Sequence, residues 1–553
     1  MSRILAICAI VAVAHAVIVA DFPSEKQDAV RCLDDMPIYA IMIGSGISAM
    51  AAAMTFAGQN KKVLILEKLY KPGGCTHTFP RQGVNFNSGF HLFSDMKQVQ
   101  VIKALYGEDV QFGWPAGYPR DHVVMPGAIF DIPNGYEEYT SYFYEMFPGE
   151  HAGLDTLFRH MDLMNYTSRA TLGRASWSYL SSHARRIVLN DEANIGTVVA
   201  ETAQYASFSA YIDALFSDPY LKALFVGGAA QFIATPPGYM PPSAGIDVLS
   251  QFRAGFSYPV EGAEAIQTTL AARISRRGGR VQAGAEVAAV LFDRHSGKTK
   301  GVRLTNGTEY LADTVVATVG LNLIRPLMNG MAIPTQPTPP NPMQHSMGFF
   351  ITFIKMSKSA RSLGLNPFSI FMPDPNLPDM DWMSYQAILV GAAPLLVFEN
   401  SLLTTAFTAT GNPATEPPAV IELMSAVWWW EWAQWANTTT HHHPADYYAI
   451  KTQLQDAQLA RFYAICPGCV NQTAFVDSAT PLTIRDYVGK QDGGALGYIG
   501  LTSKPPIATG VPGLYFAGCD IMTSISCAAE TGTQAAAVAL GDRNMASEFA
   551  GIK

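Results

Sequence analysis

Short apolar runs that end in glycine or in a carboxylate recur near both ends of this chain. The first run, Ile38–Ile43, leads into a glycine-rich turn and then into the small, helix-forming residues Met50–Ala57. That order predicts a strand, a tight turn and a helix. A second run, Val63–Leu66, predicts another strand that ends at Glu67.

Similar patterns in the middle and near the end of the chain predict further parts of the same layer. We expect a strand over Pro512–Asp520 and then a small-residue helix over Thr531–Leu540. Between these ends the pattern predicts a helix, a long strand, its hairpin partner and a third strand, namely Ala263–Arg277, Arg280–Phe292, Gly301–Leu304 and Leu311–Thr318.

Residues 100–250 and 331–479 carry different patterns. Tyr211–Phe225 has the spacing of an amphipathic helix, Pro236–Pro242 predicts a turn, and Phe349–Ile354 is apolar at nearly every position. Such a strand is typical of a sheet that is buried on both faces. These segments predict a second domain of mixed helices and strands.

The first glycine turn has the pattern of a dinucleotide-binding site. Gly44 permits the tight turn, Gly46, next to Ser45, leaves room for a pyrophosphate, and Ala49 keeps the helix close to the strand. The phosphates would lie at the helix N-terminus, where free N–H groups favour anions. Glu67, 23 residues after Gly44, is placed to accept hydrogen bonds from ribose hydroxyls.

Two further segments favour FAD over NAD. After Glu67 and Lys68, the pair Gly73 and Gly74 lets the chain pass tightly over an extended dinucleotide. Gly518 and Asp520 end the last predicted strand, in a unit that flavoproteins use to hold the ribityl chain and the flavin ring. No second GxGxxG occurs in the sequence, so NAD(P)H is expected only as a transient electron donor.

These assignments predict an α/β protein built from two interleaved domains. A Rossmann-like FAD-binding domain would comprise residues 37–95, 255–330 and 480–545. An interrupting α+β substrate domain would comprise residues 96–254 and 331–479.

The composition points to an apolar substrate or a membrane surface. The 553 residues carry a net charge of −8, and charged residues make up 15% of them, where soluble domains average about 25%. This composition excludes a disordered chain and argues against nucleic-acid binding. We therefore expect an apolar small-molecule substrate and peripheral membrane association, while the oligomeric state stays open.

Residues 1–20 have the form of a secretory signal. Arg3 precedes the apolar run Ile4–Ala20, and small residues near its end fit a cleavage site. As a helix the run would span only about 26 Å, so a cleaved signal and a retained anchor are both open. Glycosylation acceptors fit a chain in the secretory pathway, with the endoplasmic reticulum as the expected location, and they lie at Asn165, Asn306, Asn437 and Asn471.

Cysteines and histidines offer further candidate chemistry. Cys466 and Cys469 predict a local structural disulfide, because no second CxxC completes a metal site, and an active redox pair is the alternative. His441–His443 lies in a loop rich in Thr, Asn and Pro, without companion acids, and predicts a solvated loop rather than a metal site. Cys75 directly follows Gly74 and is placed to contact a flavin.

Ordered motifs along the chain resemble those of the phytoene desaturase and carotenoid isomerase superfamily. They run over about residues 37–545 and comprise Ile43–Ile47, Glu67, Lys71–Phe79, Asn87–His91, Tyr258–Gly262, Thr480–Thr483 and Gly513–Asp520. The branch of all-trans-retinol 13,14-reductases is the most similar, and the tryptophan-rich block Trp428–Trp435 resembles a stretch of that branch.

The resemblance implies a two-domain FAD flavoprotein with a tunnel for a long conjugated or isoprenoid chain. It implies FAD contacts from the residues named above and from Val287, whose backbone would face the adenine. His91 matches a family histidine and is the catalytic candidate, as acid or base toward a polyene, and His77 is also placed near the flavin. The chain departs from the family pattern at Val260–Gly262 and at Ser526–Ala529.

Alternatives remain open for the reaction and for the class of protein. Hydride exchange with a polyene needs mainly orientation and water exclusion, so saturation, desaturation and isomerisation all stay open. An amine oxidase of the same superfamily is one alternative, although no cysteine that could link a flavin lies between Cys469 and Cys519. A lipid or prenyl carrier of the same fold is another, which Glu67 and Asp520 argue against, and a dithiol oxidase that uses Cys466 and Cys469 is the third.

Overall fold

The computed structural model describes residues 37–93, 110–171, 194–233, 236–328, 330–333, 347–373, 375, 384–408, 416–490, 492–495, 497, 507–521 and 525–541. The predicted signal over residues 1–20 lies outside the described residues.

The described strands form two main sheets. In chain order they are β1 (Ala40–Ile43), β2 (Val63–Leu66), β3 (Thr78–Arg81), β4 (Val84–Asn87), β5 (Phe112–Gly113), β6 (Asp121–Met125), β7 (Ala128–Ile132), β8 (Tyr258–Pro259), β9 (Arg280–Gln282), β10 (Val287–Phe292), β11 (Thr299–Leu304), β12 (Glu309–Leu311), β13 (Thr314–Ala317), β14 (Gly348–Met356), β15 (Phe368–Phe371), β16 (Leu395–Glu399), β17 (Val420–Val427), β18 (Thr473–Ala479) and β19 (Leu514–Phe516).

The α-helices that connect and cover these sheets are, in chain order, α1 (Ile47–Gly58), α2 (Tyr136–Met146), α3 (His151–Thr171), α4 (Phe208–Leu215), α5 (Pro219–Ile233), α6 (Pro242–Arg253), α7 (Glu264–Arg276), α8 (Leu321–Leu327), α9 (Tyr385–Leu389), α10 (Asn400–Thr408), α11 (Ala445–Ile465), α12 (Pro481–Val488) and α13 (Ile525–Ala539).

The first main sheet is parallel and has the strand order β19-β13-β1-β2-β9. Its strands β1, β2 and β13 are buried at every position, as expected for a sheet that is covered on both faces. Because the strands are parallel, their carboxyl ends lie along one edge. This edge carries Gly44, Glu67 and Asp520, and the predicted α/β class with a Rossmann-like sheet is confirmed.

Two of the predicted strands are divided in the structure. Arg280–Phe292 was expected as one strand, but its two halves lie in different sheets, with β9 at the edge of the parallel sheet and β10 in the antiparallel sheet β10-β11-β12. Gly284, with φ +63°, allows the bend between them. Leu311–Thr318 is divided in the same way, because β12 ends at Leu311 and β13 joins the parallel sheet.

The predicted helix over Tyr211–Phe225 is also two helices, α4 and α5. Pro219 opens α5, since a proline fits the first helical turn, where its missing N–H leaves no hydrogen bond unmade. The carboxylate of Asp218 accepts a hydrogen bond from the N–H of Leu221 at 3.0 Å and so caps the new helix. Periodicity alone did not reveal this break.

The second main sheet has seven strands in the order β18-β14-β17-β16-β15-β6-β7. All neighbours are antiparallel except β15 and β6, which are parallel. We call one side of this sheet the inner face. Its apolar side chains pack against helices α2 to α6, and they include Phe349, Ile351, Phe353, Leu396, Phe398, Phe368, Ile370, Val420, Met424, Val123 and Phe130. The opposite side packs against α11 through Leu454 and Phe462.

Candidate functional site

The glycine turn after β1 leaves open space at the N-terminus of α1. Gly44 has φ +96°, which favours glycine. A Cβ atom built on Gly46 would meet no atom within 4 Å. Gly46 is the N-cap of α1 and makes no side-chain capping bond, and the first turn holds no acidic residue. The open space and the positive helix end together fit a phosphate group.

Helix α1 is held close to its neighbour α13 behind this turn. Ala49 is fully buried, and the hydroxyl of Ser48 donates to the carbonyl of Ala528 at 2.7 Å. A Cβ built on Gly532 of α13 would lie 2.0 Å from the carbonyl oxygen of Ser48. The two helices therefore approach so closely that only glycine fits at residue 532.

Glu67 is buried at the end of β2 and accepts hydrogen bonds from the glycine turn. Its Oε2 accepts from the N–H of Ser45 at 3.0 Å and from the Ser45 hydroxyl at 2.6 Å, and its Oε1 accepts from the N–H of Leu69 at 2.9 Å. A carboxylate has about four lone-pair positions, so one acceptor position remains on Oε1. Glu67 thus fixes the turn and keeps capacity for one ribose hydroxyl.

The glycine pair after Glu67 lies against the first turn. The N–H of Gly73 donates to the Ser45 hydroxyl at 2.8 Å, and a Cβ built on Gly74 would lie 3.0 Å from the Cα of Gly46. Gly73 has φ +128° and lies against the side chain of Gln267, whose buried Oε1 has no hydrogen-bond partner among the described residues. That unpaired acceptor is available to a bound group.

The remaining residues predicted near the adenine end lie on the same side. The backbone N–H groups of Gly284 and Ala285 donate to the carbonyls of Leu69 and Glu67 at 2.9 and 2.7 Å. The chain therefore crosses the end of β2 just before Val287 opens β10. Lys68 is exposed, and its ammonium lies 3.3 Å from the carbonyl oxygen of Asp486.

At the other end of the sheet edge, Asp520 is held by a partner that the sequence did not indicate. Its Oδ2 accepts from the N–H of Leu321 at 2.9 Å, and its Oδ1 forms a buried ion pair with Lys490. Burial disfavours the ammonium, but the Asp520 carboxylate next to it holds the pKa of Lys490 above its usual value. Gly518 has φ +137° and donates its N–H to the Thr531 hydroxyl at 2.8 Å.

These residues fit FAD. The space at Gly46 accommodates a phosphate, Glu67 retains an acceptor for ribose, and Gln267 offers an unpaired acceptor near the glycine pair. Cys75 and Cys519, neither of which forms a disulfide, lie near each other at this edge. Burial raises the pKa of Cys75 to about 11, with a contribution from Cys519, so the Cys75 thiol stays protonated.

The hairpin β3–β4 leads from the glycine pair to the inner face of the second sheet. Phe79 and Phe86 contact Phe353 of β14 at ring-centroid distances of 5.1 and 5.3 Å. The N–H of Asn87, at the end of β4, donates to Oε1 of Glu422 on β17 at 2.7 Å. The inner face therefore begins next to the FAD site.

His91, the catalytic candidate, lies beside Glu422. The Nδ1 atom of His91 is 3.2 Å from Oε2 of Glu422, and both side chains are at most 9% exposed. The ring of His91 stacks on Phe398 at 4.4 Å. Burial raises the pKa of Glu422 to about 8 and lowers that of His91 to about 3, so the pair is neutral near pH 7.

Sequence reasoning missed Glu422. It is the one charged residue in the apolar run Val420–Val427, and a carboxyl group inside a fully buried strand is costly unless it is neutral or paired. This single carboxyl group in an otherwise uncharged run was the signal in the sequence that could have identified Glu422. Its partner His91 is 331 positions earlier in the chain, so no local pattern joins them.

His77, the other histidine expected near the flavin, lies in the glycine-pair segment. Its Nδ1 is 2.5 Å from the carbonyl oxygen of Gly74 and 3.1 Å from the hydroxyl of Ser88. These contacts orient the ring within its own loop. His77 does not contact the pair of His91 and Glu422.

Other predicted features lie away from this edge. Cys466 and Cys469 form a disulfide at the end of α11, as expected for the structural alternative. In the histidine loop, His441 and His442 are exposed and His443 is partly buried. None of the helices in the described ranges has the length and apolar character needed to cross a membrane.

Comparison with known proteins gives a consistent result. The family model of flavin containing amine oxidoreductases matches residues 45–349. An all-trans-retinol 13,14-reductase of Homo sapiens is 25% identical over 92% of this chain and 86% of its own length. A chloroplastic prolycopene isomerase of Arabidopsis thaliana is 24% identical over 55% of this chain and 51% of its own length.

Solved structures share the fold. An oxidoreductase from Methanosarcina mazei matches with a TM-score of 0.55 and 14% identity, over 89% of this chain and 98% of its own. Cyclohexylamine oxidase from Brevibacterium oxydans matches with a TM-score of 0.52 and 15% identity, over 93% of this chain and 100% of its own.

Proposed function

We propose that this chain, which belongs to the family of flavin-containing amine oxidoreductases, is an FAD-dependent enzyme that acts on carbon–carbon double bonds of an apolar polyene. The substrate class we propose is a retinoid or a carotenoid-like isoprenoid. The reaction is saturation, desaturation or isomerisation of a double bond. The similarity to a retinol reductase over 92% of this chain and the similarity to a prolycopene isomerase over 55% of it support this class.

One observation carries the proposal, namely the apolar inner face that begins at the FAD site. Strands β14 to β17 line it with aliphatic and aromatic side chains. On β17 of this face, the carboxyl group of Glu422 is completely buried and lies next to His91. A polyene needs apolar walls and the exclusion of water, and the buried aliphatic and aromatic side chains of this face supply both.

Different residues of the chain would hold the cofactor and position the substrate. FAD, when bound, supplies two-electron transfer to or from carbon. Gly44, Gly46 and Glu67 would hold the dinucleotide, and Asp520, fixed by Lys490, would orient its flavin end. Phe353 and Phe398 would position the polyene and exclude water. We propose NAD(P)H as the transient electron donor, since the sequence offers one dinucleotide-binding turn.

We also propose that the protein resides in the secretory pathway, in the endoplasmic reticulum and in peripheral contact with its membrane. Asn306, Asn437 and Asn471 are exposed, and the Cys466–Cys469 disulfide is typical of an oxidising compartment. Treatment of the native protein with an endoglycosidase should increase its electrophoretic mobility. An unchanged mobility together with reduced Cys466 and Cys469 would place the chain on the reducing side of the membrane.

The function is tested with purified protein under anaerobic conditions. The reduced holoenzyme is mixed with all-trans-retinol, with a cis-carotene and with a primary amine. We expect a polyene to reoxidise the flavin or to be isomerised, with the product identified by chromatography and mass spectrometry. Flavin reduction of the oxidised enzyme by an amine, with release of peroxide in air, would support the amine oxidase alternative. Absence of bound flavin would refute the proposal.

A further inference from the structure

Glu422 and His91 have buried polar atoms without hydrogen bonds, and some of these atoms lie close to each other. Oε1 of Glu422 accepts from the N–H of Asn87 at 2.7 Å and from the amide of Asn400 at 2.9 Å. Oε2 of Glu422 and both ring nitrogens of His91 have no properly aligned hydrogen bond among the described residues. Oε2 and Nδ1 are nevertheless 3.2 Å apart. A small rotation of either side chain aligns them.

Within the described ranges, no lysine or arginine forms an ion pair with Glu422. Among the described residues, His91 is the one basic group paired with this carboxyl. Phe398 of β16 covers the His91 ring, and Phe353 of β14 is the cross-strand neighbour of Glu422. Tyr258 is the other titratable group nearby, and it is joined to Asn87 by hydrogen bonds of 3.0 and 3.1 Å. Burial holds the pKa of Tyr258 above its usual value, so its hydroxyl stays protonated.

Glu399, a buried carboxyl group on the adjacent strand, has a structural role and serves as a comparison for Glu422. Glu399, on β16, is completely buried. Its oxygens accept from the hydroxyl of Ser401 and from the backbone N–H groups of Leu402 and Val420, so it caps the start of α10. Burial raises its pKa to about 7. Unlike Glu422, it has no histidine partner and no unpaired oxygen.

We propose that Glu422 supplies the proton of the reaction and that His91 relays it to a carbon atom of the substrate. This inference rests on the proposed function. In the saturating direction, the proton on Oε2 of Glu422 passes to Nδ1 of His91 as the proton on Nε2 passes to carbon. The electron pair for the other new C–H bond arrives as hydride from the reduced flavin, and the π bond breaks.

Water restores the proton that Glu422 gives up in this step. Glu422 is left as a carboxylate, His91 is neutral again with its proton on Nδ1, and both return to the starting state when Glu422 takes a proton from water. In desaturation the same groups accept the proton instead. Pure isomerisation consumes no proton, so Glu422 would be dispensable for it unless a protonated polyene forms.

The first test follows the carboxyl group directly and needs no turnover. Infrared difference spectra of the holoenzyme should show the band of a protonated carboxylic acid that disappears as the pH rises through about 8. Because burial also raises the pKa of Glu399 to about 7, two carboxylic acid bands are expected. The band of Glu422 is the one that Glu422→Gln lacks and that Glu399→Gln, the matched control, keeps. If the wild type shows no carboxylic acid band that Glu422→Gln lacks, or if Glu422 is ionised at pH 6, the proposal is wrong.

The second test uses the proton itself. Saturation of a polyene in D₂O should place deuterium from the relay on one of the two carbons, while the other carbon receives the exchangeable hydrogen of the reduced flavin. Glu422→Gln should slow this saturation by about 10²–10⁴-fold at unchanged FAD content. The rate of the wild type should fall above about pH 8, where Glu422 loses its proton. A wild-type rate in Glu422→Gln would overturn the proposal.

The outcomes separate this inference from the proposed function. If no polyene reacts with the wild type, the proposed function fails, while the infrared titration still decides the protonation of Glu422. If polyenes react and both Glu422→Gln and His91→Gln saturate them normally, the function stands and the relay is refuted. If Glu422→Gln does not fold, the infrared titration of the wild type and the rate of His91→Gln remain decisive.

Discussion

Gly46→Ala should separate cofactor binding from folding. Gly46 has φ −62° and ψ 175°, which alanine adopts without strain, and the new Cβ meets no protein atom within 4 Å. The apoprotein should therefore be as stable as the wild type, or more stable by about 0.4–1 kcal/mol, because the unfolded chain loses conformational freedom.

The same methyl group occupies the space that we assign to the pyrophosphate. It pushes a phosphate away from the N–H groups of α1, and each hydrogen bond to a charged group contributes about 1.5–3 kcal/mol. Loss of one such bond weakens FAD binding roughly ten- to hundred-fold. Gly532→Ala is the contrasting variant, since its Cβ would lie 2.0 Å from the Ser48 carbonyl oxygen. Overpacking of this kind costs about 1–3 kcal/mol of folding stability.

The assay compares denaturant unfolding of the apoproteins with FAD affinity measured by fluorescence titration. We expect Gly46→Ala to unfold normally and to bind FAD weakly, and Gly532→Ala to unfold at lower denaturant concentration. If Gly46→Ala binds FAD as tightly as the wild type, the phosphates do not approach the backbone at residue 46, and the assignment of this turn is wrong.

Further variants test other parts of the site. Glu67→Gln should lower apoprotein stability by about 1–3 kcal/mol and also weaken FAD binding, because the Glu67 carboxylate accepts three hydrogen bonds from the chain; unchanged values of both quantities would contradict its role. Lys490→Met should cost about 3–5 kcal/mol of stability by leaving Asp520 buried without its cation, measured by thermal unfolding. Burial raises the pKa of Glu422 to about 8, so the stability that this group contributes is complete below its unfolded pKa, about 4.3, and is lost as the pH rises to 8. The free energy of unfolding should therefore fall less over this pH range in Glu422→Gln than in the wild type. Replacing the disulfide Cys466–Cys469 by two serines should cost about 2 kcal/mol and leave flavin content and polyene turnover intact, whereas loss of turnover would favour the dithiol oxidase alternative.

Much of the dinucleotide site follows from contiguous sequence. The strand, turn and helix over residues 38–57 and the strand that ends at Glu67 lie within 30 residues of each other. A βαβ unit folds these neighbours onto one another with little choice of topology, so the sequence alone placed Gly44, Gly46 and Glu67 at one sheet edge, where we propose that they hold FAD. The disulfide Cys466–Cys469 was identifiable for the same reason, since its partners are three residues apart.

Apolar patterning was less informative wherever the chain changes sheets. Arg280–Phe292 has the composition of one strand, but Gly284 turns the chain across the end of β2, so that its halves join β2 and β11. A strand pattern indicates that a segment is extended and buried, and it does not indicate which neighbour the segment pairs with.

The sequence by itself determined the class of fold, the glycine-rich turn after β1 and the apolar character of the strands in the second sheet, because adjacent residues and composition contain this information. Only the tertiary structure brought Glu422 to His91 and Lys490 to Asp520, across 331 and 30 positions. The protonation of Glu422 was also decided there. Burial without a paired cation raises the pKa of the Glu422 carboxyl, and that burial depends on packing that no linear pattern contains.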